Sequence, residues 1–363
     1  MKTILLLGAG KIGDMITHLL AETGDYKVVV ADISQDNLSK MPTGKNVETL
    51  CIDISDGAKL VEVMKGKFAA LSACPYQLTK TIARAAKDAG IHYMDLTEDV
   101  ASTRLVKELA EGASSAFIPQ CGLAPGFISI VAYDLAKKFD ELDTVKMRVG
   151  ALPEFPHNAL LYNLTWSTDG LINEYIQPCE AIVNGVLREV PALEEREEFT
   201  LDGTTYEAFN TSGGLGTLCE TLDGKVKNLN YRTARYPGHR DILKILIQDL
   251  KLGERGDMLK DIFEYALPLT EQDVVLIFVT VNGMKNGKLM QESYARRVYA
   301  REIGGKLCTA IQITTASGIC AVLDMLADGK LPQKGFVKQE DISFSDFIAN
   351  RFGANYAHPA DDR

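Results

Sequence analysis

The pattern of apolar and polar positions divides the chain into two regimes. In the first, short apolar runs of four to six residues alternate with stretches that have helical apolar spacing. This alternation is typical of buried parallel strands joined by helices. The apolar runs occupy residues 4–7, 27–31, 47–52, 69–73, 92–96 and 116–119. A doubly wound parallel sheet is therefore predicted over residues 1–120.

After residue 120 the pattern becomes strand-like without a helix after each strand. The alternating segments are residues 145–152, 161–166, 181–188, 206–211 and 229–233. Residues 274–281 and 288–299 predict a hairpin, because Asn-Gly pairs stand between them. We therefore expect a second, α+β domain at residues 121–315 with a mainly antiparallel sheet. Residues 310–327 predict a buried helix, and residues 316–363 are expected to pack back on the first domain.

Three glycines stand between the first predicted strand and the first predicted helix. Gly8, Gly10 and Gly13 form G-x-G-x-x-G in the strand–turn–helix context that gives this motif its meaning. A glycine in the middle lets backbone N–H groups approach a pyrophosphate at the helix N-terminus. The chain therefore predicts a Rossmann-type domain in which Gly8, Gly10, Lys11, Ile12 and Gly13 bind a dinucleotide.

Asp32 ends the second predicted strand and follows Gly13 by 19 positions. A carboxylate at this place accepts hydrogen bonds from both adenosine ribose hydroxyls and repels a 2′-phosphate. Residues 33–36 include no Arg or Lys that would receive such a phosphate. The sequence therefore predicts NAD rather than NADP as the cofactor. The alternative is that Asp32 only caps a turn.

Ligands of doubly wound sheets bind beyond the carboxyl ends of the strands, so residues that follow the strands are candidates. They are Asp53, Cys74 and Pro75 for the cofactor and Tyr76, Asp95 and Glu98 for the substrate. The alternative for each is an ordinary connecting loop, and for the carboxylates it is helix capping.

Two polar stretches of the second domain carry further candidates. They contain Asn163, Thr165 and Asp169 in residues 162–175, and Arg232, Arg235 and His239 in residues 230–240. Strand alternation places Arg235 and Arg232 on opposite sheet faces. An arginine fork suits a substrate carboxylate, although pairing with the chain's own acids is the alternative. His239 follows a Pro-Gly turn and could accept a proton near neutral pH; the alternative is a structural histidine.

Composition narrows the function classes. The 363-residue chain has a net charge of −10, which argues against nucleic acid and acidic membranes as partners. It has no apolar run of the roughly 20 residues that a membrane span requires, and no signal-peptide pattern, so a cytoplasmic location is expected. Seven dispersed cysteines indicate reduced thiols, and the histidine spacing indicates no metal site. The apolar hairpin predicts a homo-oligomer, most simply a homodimer.

Four motifs occur in a telling order: the N-terminal glycine loop, residues 122–126 (GLAPG), residues 163–167 (NLTWS) and residues 235–239 (RYPGH). Together they resemble the saccharopine dehydrogenase family, and most closely its L-lysine 6-dehydrogenase branch. The resemblance covers almost the whole chain. The family's reductases that condense an amine with an aldehyde often carry an acid where this chain has Ala124, which favours the lysine-oxidising branch.

The resemblance implies an amino-acid dehydrogenase of lysine degradation, which uses NAD to deaminate L-lysine oxidatively at its ε-amine to the 6-semialdehyde. Arg235, with Arg232 second, is expected to anchor the substrate carboxylate, and His239 or Glu98 to accept the proton. The remaining assignments are Asp95 or Asp169 for the α-ammonium group and Tyr76, Asn163 and Thr165 for the pocket wall. The alternatives are a saccharopine or carboxyalkyl-polyamine reductase of the same family and a non-catalytic dinucleotide-binding sensor.

Overall fold

The computed structural model describes residues 1–359, which form two compact units. Unit one contains Met1–Ile130 and Gln312–Ala357, and unit two is built mainly from Val131–Ile311. Unit one is thus discontinuous in sequence. The expected boundaries followed residues 120 and 315, whereas both junctions lie inside helices.

The elements are named in chain order. The strands are β1 (Lys2–Leu7), β2 (Tyr26–Asp32), β3 (Val47–Cys51), β4 (Ala69–Ser72), β5 (His92–Asp95), β6 (Ala116–Ile118), β7 (Glu141–Pro153), β8 (Cys179–Val183), β9 (Val186–Val190), β10 (Glu197–Leu201), β11 (Thr204–Asn210), β12 (Val226–Arg235), β13 (Asp273–Lys285), β14 (Lys288–Tyr299), β15 (Arg301–Ile303), β16 (Lys306–Cys308) and β17 (Gly335–Phe336). The α-helices are α1 (Lys11–Glu22), α2 (Gln35–Ser39), α3 (Gly57–Met64), α4 (Thr79–Ala89), α5 (Val100–Ala110), α6 (Phe127–Ala136), α7 (Thr168–Ile176), α8 (Leu218–Leu222), α9 (His239–Lys244), α10 (Gly256–Ala266), α11 (Ala310–Ala327) and α12 (Phe344–Ala349).

Unit one is built on a parallel seven-stranded sheet with the order β17-β6-β5-β4-β1-β2-β3. The central strand β1 is covered on both faces, and Ile4, Leu5, Leu6 and Leu7 have no exposed surface. Its neighbours β2 and β4 lie on opposite sides, so the strand order reverses at the end of β1. A reversal of this kind creates the crevice in which doubly wound sheets bind ligands. The predicted Rossmann-type fold is confirmed.

Unit two contains an eight-stranded mixed sheet. Its main path is β10-β11-β12-β7-β13-β14, and β8 pairs with β12 and β9. The β12–β7 pair is parallel, and the other pairs are antiparallel. The predicted hairpin is β13–β14, which reverses at Asn286 (φ 53°) and Gly287 (φ 71°), the positive dihedral angles that a tight hairpin turn requires. The mainly antiparallel second sheet is confirmed.

Two strand predictions in unit two were wrong. Residues 181–188 are not one strand, because Asn184 (φ 53°) and Gly185 (φ 77°) turn the chain between β8 and β9. Residues 161–166 are irregular, with one isolated bridge between Leu164 and Leu269. Leu161 has a φ of 52°, which ends any extended run there. The apolar alternation at 161–166 reflects packing into a core between α7, α9 and α10.

Helix α11 is the predicted buried helix. In the part of the chain that the structure describes, it alone is long and apolar enough to cross a membrane by length and composition. Of its 18 residues, 83% are buried within the fold, and core helices of folded domains pass the same test.

Candidate active site

The glycine loop of unit one has the shape of a dinucleotide cradle. A Cβ on Gly8 would lie 2.7 Å from the Ala73 carbonyl oxygen, and one on Gly13 would lie 2.0 Å from the Gly8 carbonyl oxygen. A Cβ on Gly10 would meet no protein atom within 4 Å. Gly8 and Gly13 are therefore required by the protein's own packing, whereas Gly10 borders open space. Gly10 also caps α1 without a side-chain hydrogen bond, so the first N–H groups of α1 can bind a phosphate.

Asp32 both supports the loop and retains acceptor capacity. The Ala9 N–H donates to its Oδ2 at 2.7 Å, and the Ser34 N–H donates to its Oδ1 at 2.8 Å. The turn-bracing alternative is thus part of what Asp32 does. Each carboxylate oxygen has a second lone pair, so these bonds are compatible with ribose binding.

The other cofactor candidates lie at the ends of β3 and β4. The Cys74 sulfur lies 3.4 Å from the position of a Gly8 Cβ, so Cys74 borders the loop, and Pro75 follows it as an exposed residue. Burial, followed by the charge of Asp32, raises the pKa of the Cys74 thiol to about 12, so this thiol is neutral. Asp53 is exposed and accepts bonds from the Ser55 N–H and hydroxyl, which lower its pKa.

The substrate candidates of unit one differ in their environments. Asp95 is buried and accepts hydrogen bonds from the Tyr93 hydroxyl and from the N–H groups of Thr97 and Gln120. Burial raises its pKa to about 6 against the effect of these bonds. Asp95 therefore fastens the loops after β5 and β6, and its contacts do not support a role in binding an ammonium group. Glu98 is partly buried, and burial raises its pKa.

Tyr76 begins a single 3-10 turn, Tyr76–Leu78, after Pro75 and is half-buried. It belongs to unit one, as Asp95 and Glu98 do.

In unit two, the structure brings Arg235 and His239 together through a residue that the sequence did not identify. Arg235 Nε donates to the Tyr175 hydroxyl at 3.0 Å, and this hydroxyl lies 3.1 Å from His239 Nε2. His239 Nδ1 lies 3.0 Å from the Leu160 carbonyl oxygen. Arg235 comes from the end of β12, His239 from the start of α9 and Tyr175 from α7. A Pro-Gly turn between β12 and α9 thus returns the imidazole towards the guanidinium.

The guanidinium of Arg235 is buried without a protein counter-ion. Arg235 is 2% exposed, and within residues 1–359 no carboxylate forms an ion pair with it. Its Nη1 donates to the Ala234 carbonyl oxygen at 2.9 Å, and its Cζ lies 4.9 Å from the Tyr162 ring centroid. Its hydrogen-bond partners are neutral, and Glu174 acts on its pKa without forming an ion pair with it. A buried cation is costly when no anion pairs with it, and an anionic ligand would lower that cost.

Three buried oxygens in the adjoining segment form no hydrogen bond of good geometry with the residues that the structure describes, although Thr165 and Trp166 lie close enough to Tyr162 to act on its pKa. They are Tyr162 Oη, Asn163 Oδ1 and Thr165 Oγ1. Buried polar groups in folded proteins are nearly always hydrogen-bonded, so a concentration of unpaired atoms needs an explanation. Together with Arg235 they provide one cation and several hydrogen-bonding oxygens, the chemistry that a zwitterionic ligand requires.

His239 does not have the properties of a base that works near neutral pH. Burial, and then the neighbouring charge of Arg235, lowers its pKa to about 3. Both ring nitrogens already have protein partners. The expectation that His239 takes up a proton near neutral pH is not supported by this arrangement.

Two other substrate candidates pair with the protein's own charges. Arg232 Nη2 lies 2.8 Å from Glu195, and its Nη1 lies 3.1 Å from Glu197. Asp169 is exposed and lies 2.7 Å from Lys260 Nζ. The pairing alternative therefore describes Arg232, and neither residue is available in the way that Arg235 is.

Tyr162 and Tyr175 are the site residues that sequence reasoning missed. Both lie in the polar stretch 162–175 from which Asn163, Thr165 and Asp169 were chosen. The available signal was the helix start at Ser167, whose hydroxyl accepts from the Gly170 N–H and begins α7. Among residues 1–359, no group of three or more His, Cys, Asp or Glu side chains is arranged to hold a metal ion.

A parallel sheet with a glycine-loop dinucleotide cradle is typical of nicotinamide-dinucleotide-dependent oxidoreductases. The family comparison narrows this class. The family model "Saccharopine dehydrogenase NADP binding domain" matches residues 4–116, and the family model "Saccharopine dehydrogenase C-terminal domain" matches residues 122–353. The chain belongs to the saccharopine dehydrogenase family, as its motifs indicated.

Individual relatives are distant. The chain is 22% identical over 347 residues to the mitochondrial alpha-aminoadipic semialdehyde synthase of Bos taurus, which covers 92% of this chain and 36% of that protein. It is 24% identical over 197 residues to the saccharopine dehydrogenase (NADP(+), L-glutamate-forming) of Schizosaccharomyces pombe, with 52% of this chain and 44% of that protein covered. The chain thus spans less than half the length of these curated relatives.

The solved structure of apo saccharopine dehydrogenase (L-Glu forming) from Saccharomyces cerevisiae has a similar fold. The TM-score is 0.78 at 15% identity, and the alignment covers 95% of this chain and 96% of the yeast chain. At this identity the likeness shows the shared fold alone.

Proposed function

We propose that this chain is an NAD-dependent dehydrogenase that acts on the CH–NH group of an amino acid, most concretely L-lysine at its ε-amine. The observation that carries the proposal is the buried Arg235 without a protein counter-ion, next to unpaired oxygens in residues 162–165. A carboxylate-bearing substrate supplies the missing negative charge. The family membership supports amino-acid chemistry, and Ala124 favours lysine oxidation over amine–aldehyde condensation.

Arg235 is the proposed carboxylate anchor. Its Nε and Nη1 have protein partners, so Nη2 is the nitrogen that we assign to the substrate carboxylate. Pairing with a carboxylate converts an isolated buried charge into a charge-assisted hydrogen bond, which contributes about 1.5–3 kcal/mol. The unpaired oxygens of Asn163 and Thr165 are proposed acceptors for the substrate's α-ammonium group, because Asp95 and Asp169 are engaged elsewhere.

NAD is the proposed cofactor, because the carboxylate of Asp32 ends β2 where a 2′-phosphate would be repelled. A nicotinamide dinucleotide bound there would supply a hydride acceptor for the substrate's Cε–H bond. The residues of unit one that would hold the dinucleotide are the glycine loop, the N-terminus of α1 and Asp32. Their geometry fits a pyrophosphate, since only the Gly10 position borders open space.

The substrate chemistry balances with one water. The ε-ammonium group loses one proton, hydride loss leaves a protonated imine, and water converts that imine to the 6-semialdehyde with release of ammonium. The proton must be accepted by a base, because an ammonium group of pKa near 10.4 arrives protonated. Glu98 is the preferred candidate over His239, since burial raises the pKa of Glu98 but lowers that of His239 to about 3.

The test is turnover of a substrate panel with NAD and with NADP. Lysine with NAD, in the absence of any keto acid, is expected to give NADH and ammonium in equal amounts. The names of the relatives favour a second candidate, the oxidation of saccharopine with one water to glutamate and the 6-semialdehyde, which would release no ammonium. Saccharopine turnover without lysine turnover would replace the proposal.

A matched pair of variants tests the anchor. Arg235→Lys keeps the charge but removes the planar fork, and we expect a KM for lysine that is roughly 10- to 100-fold higher, equivalent to about 1.5–3 kcal/mol. Arg232→Lys on the opposite face is the control, because its partners are Glu195 and Glu197. An unchanged KM in Arg235→Lys would show that the carboxylate is bound elsewhere.

A homodimer is also proposed, on the ground that β14 is the last strand of its sheet and exposes Leu289 and Met290. An exposed edge of this length can template pairing with a second chain. Light scattering at micromolar concentration is the measurement, and a monomer would contradict the proposal. The cytoplasmic location stays a prediction.

A further inference from the structure

The hydrogen bonds around Arg235 have only one consistent set of directions. The Leu160 carbonyl oxygen can only accept, so His239 Nδ1 carries a proton and donates to it. A neutral His239 then has an unprotonated Nε2, which accepts from the Tyr175 hydroxyl. The lone pairs of that hydroxyl accept from Arg235 Nε. The directions of the hydrogen bonds that link Leu160 to Arg235 are thus fixed, and none of these bonds involves a carboxylate.

Neutrality of His239 follows from its surroundings. The imidazole is 1% exposed, and the charged or titratable groups that face it are Arg235, Tyr175 and Tyr162. An imidazolium here would place a second buried cation beside the guanidinium. It would also direct an N–H towards a hydroxyl that already receives the Arg235 Nε–H.

We propose that Tyr175 and His239 are positioning residues of the carboxylate site, with His239 fixing the Tyr175 hydroxyl and that hydroxyl fixing the guanidinium of Arg235. The inference rests on the proposed role of Arg235. Three contacts then define the guanidinium: Tyr175 at Nε, the Ala234 carbonyl oxygen at Nη1, and the face of the Tyr162 ring. Nη2 is the nitrogen that these contacts leave for a ligand.

His239 of the 235–239 motif thus has a structural role in the carboxylate site that does not require it to exchange protons. Its position after the Pro-Gly turn, at the start of α9, places the ring between Leu160 and Tyr175. Its effect should therefore be confined to ligands that carry a carboxylate. Ligands that present only the amine should be indifferent to it.

The decisive variant is Tyr175→Phe, which removes one oxygen and keeps the ring. The two substrates are lysine and 1,5-diaminopentane, which has the same reacting amine without the carboxylate. We expect Tyr175→Phe to raise the KM for lysine about tenfold, with kcat and the KM for NAD nearly unchanged. The KM for the diamine should not change. An equal rise for both substrates, or a fall in kcat for both, would overturn the inference.

Two variants of His239 provide the rescue test. His239→Gln retains a carbonyl oxygen that can accept from Tyr175, whereas His239→Leu does not. The inference requires His239→Gln to keep most of the lysine affinity and His239→Leu to resemble Tyr175→Phe. Thermal unfolding of each variant controls for loss of the fold, and equal lysine KM values for two folded His239 variants would contradict the proposal.

A spectroscopic measurement separates this inference from the proposed function. In protein with 15N-labelled histidine, the His239 resonance, assigned by its loss in His239→Gln, should show the Nδ1-protonated tautomer and no titration between about pH 5 and 9. A protonated ring or the other tautomer would overturn the inference even if lysine is the substrate.

If no amine is oxidised, the proposed function fails. Calorimetry with amino acids and their decarboxylated amines then tests for the same carboxylate-selective loss in Tyr175→Phe, and no selective loss would overturn the inference.

Discussion

Two alanine substitutions in the glycine loop separate cofactor binding from folding. Gly10 has φ −83° and ψ −170°, which alanine adopts without strain, and a Cβ there meets no protein atom within 4 Å. Gly13→Ala would instead place a Cβ 2.0 Å from the Gly8 carbonyl oxygen, where the backbone must move. Gly10→Ala therefore places a methyl group where the ligand would bind, and Gly13→Ala places one in a steric clash with the protein backbone.

Gly10→Ala should mainly lower dinucleotide affinity, whereas Gly13→Ala should mainly lower the free energy of unfolding. Gly10→Ala should change the free energy of unfolding by less than about 1 kcal/mol, because a lower entropy of the unfolded chain offsets the poorer N-cap. Its methyl group should cost one charge-assisted hydrogen bond to the pyrophosphate, about 1.5–3 kcal/mol, or roughly 10- to 100-fold in dinucleotide affinity. Gly13→Ala should cost about 1–3 kcal/mol of stability through overpacking, and each kcal/mol lowers Tm by about 2–4 °C.

Calorimetric titration with NAD and thermal unfolding are the two assays, applied to both variants and to Gly44→Ala. Gly44 is the control, because its Cβ would also meet open space and it lies before the amino end of β3, whereas Gly10 follows the carboxyl end of β1. A folded Gly10→Ala protein that binds NAD as tightly as the wild type would refute the phosphate cradle. A Gly13→Ala protein as stable as the wild type would refute the packing argument.

Three further changes test other parts of the molecule. Asp32→Ser should lower the preference for NAD over NADP at least about tenfold, measured as the ratio of the two Kd values. Burial raises the pKa of Glu197, but the cations beside it, Arg148 first, lower it to about 2 from an ordinary 4.5. It therefore stabilises the fold above pH 4.5, and this stability, at most about 3 kcal/mol, is lost as the pH falls to 2; Glu197→Gln should flatten the acid limb of a urea-unfolding series. Gly318→Ala should lower Tm by several degrees, because its Cβ would lie 2.5 Å from the Cys121 carbonyl oxygen.

The dinucleotide half of the molecule was predictable because its signals are local. A strand, a turn and a helix within about 20 residues define the cradle, and Asp32 follows at a fixed distance along the next strand. The glycine requirements are set by atoms of the same loop and of Ala73 and Cys74, which directly follow the adjacent β4. Periodicity alone therefore predicted the boundaries of β1 to β6 to within about two residues.

The substrate half was only partly predictable, because its contacts come from distant segments. Alternation placed Arg235 and Arg232 on opposite faces of β12, and the structure agrees. The sequence could not decide which face carries acids, since Glu195 and Glu197 reach Arg232 from β10 and the loop before it. Tyr175 was missed because α7 was not predicted, and with it the partner that joins Arg235 to His239.

The contrast between the two arginines is an argument about electrostatics as well as geometry. The protein pairs Arg232 with its own carboxylates. Arg235, three residues away, has neutral hydroxyl, carbonyl and aromatic groups as its hydrogen-bond and ring partners, and Glu174 affects its pKa without an ion pair. A neutral His239 fits this arrangement, because an imidazolium would add a second buried cation that repels the guanidinium of Arg235. A site binds an anion most tightly when the protein holds the cation in a fixed orientation but does not pair it with a carboxylate of its own. On that reasoning Tyr175, Tyr162 and His239 serve the same purpose: they hold the guanidinium in place and leave its charge for the substrate.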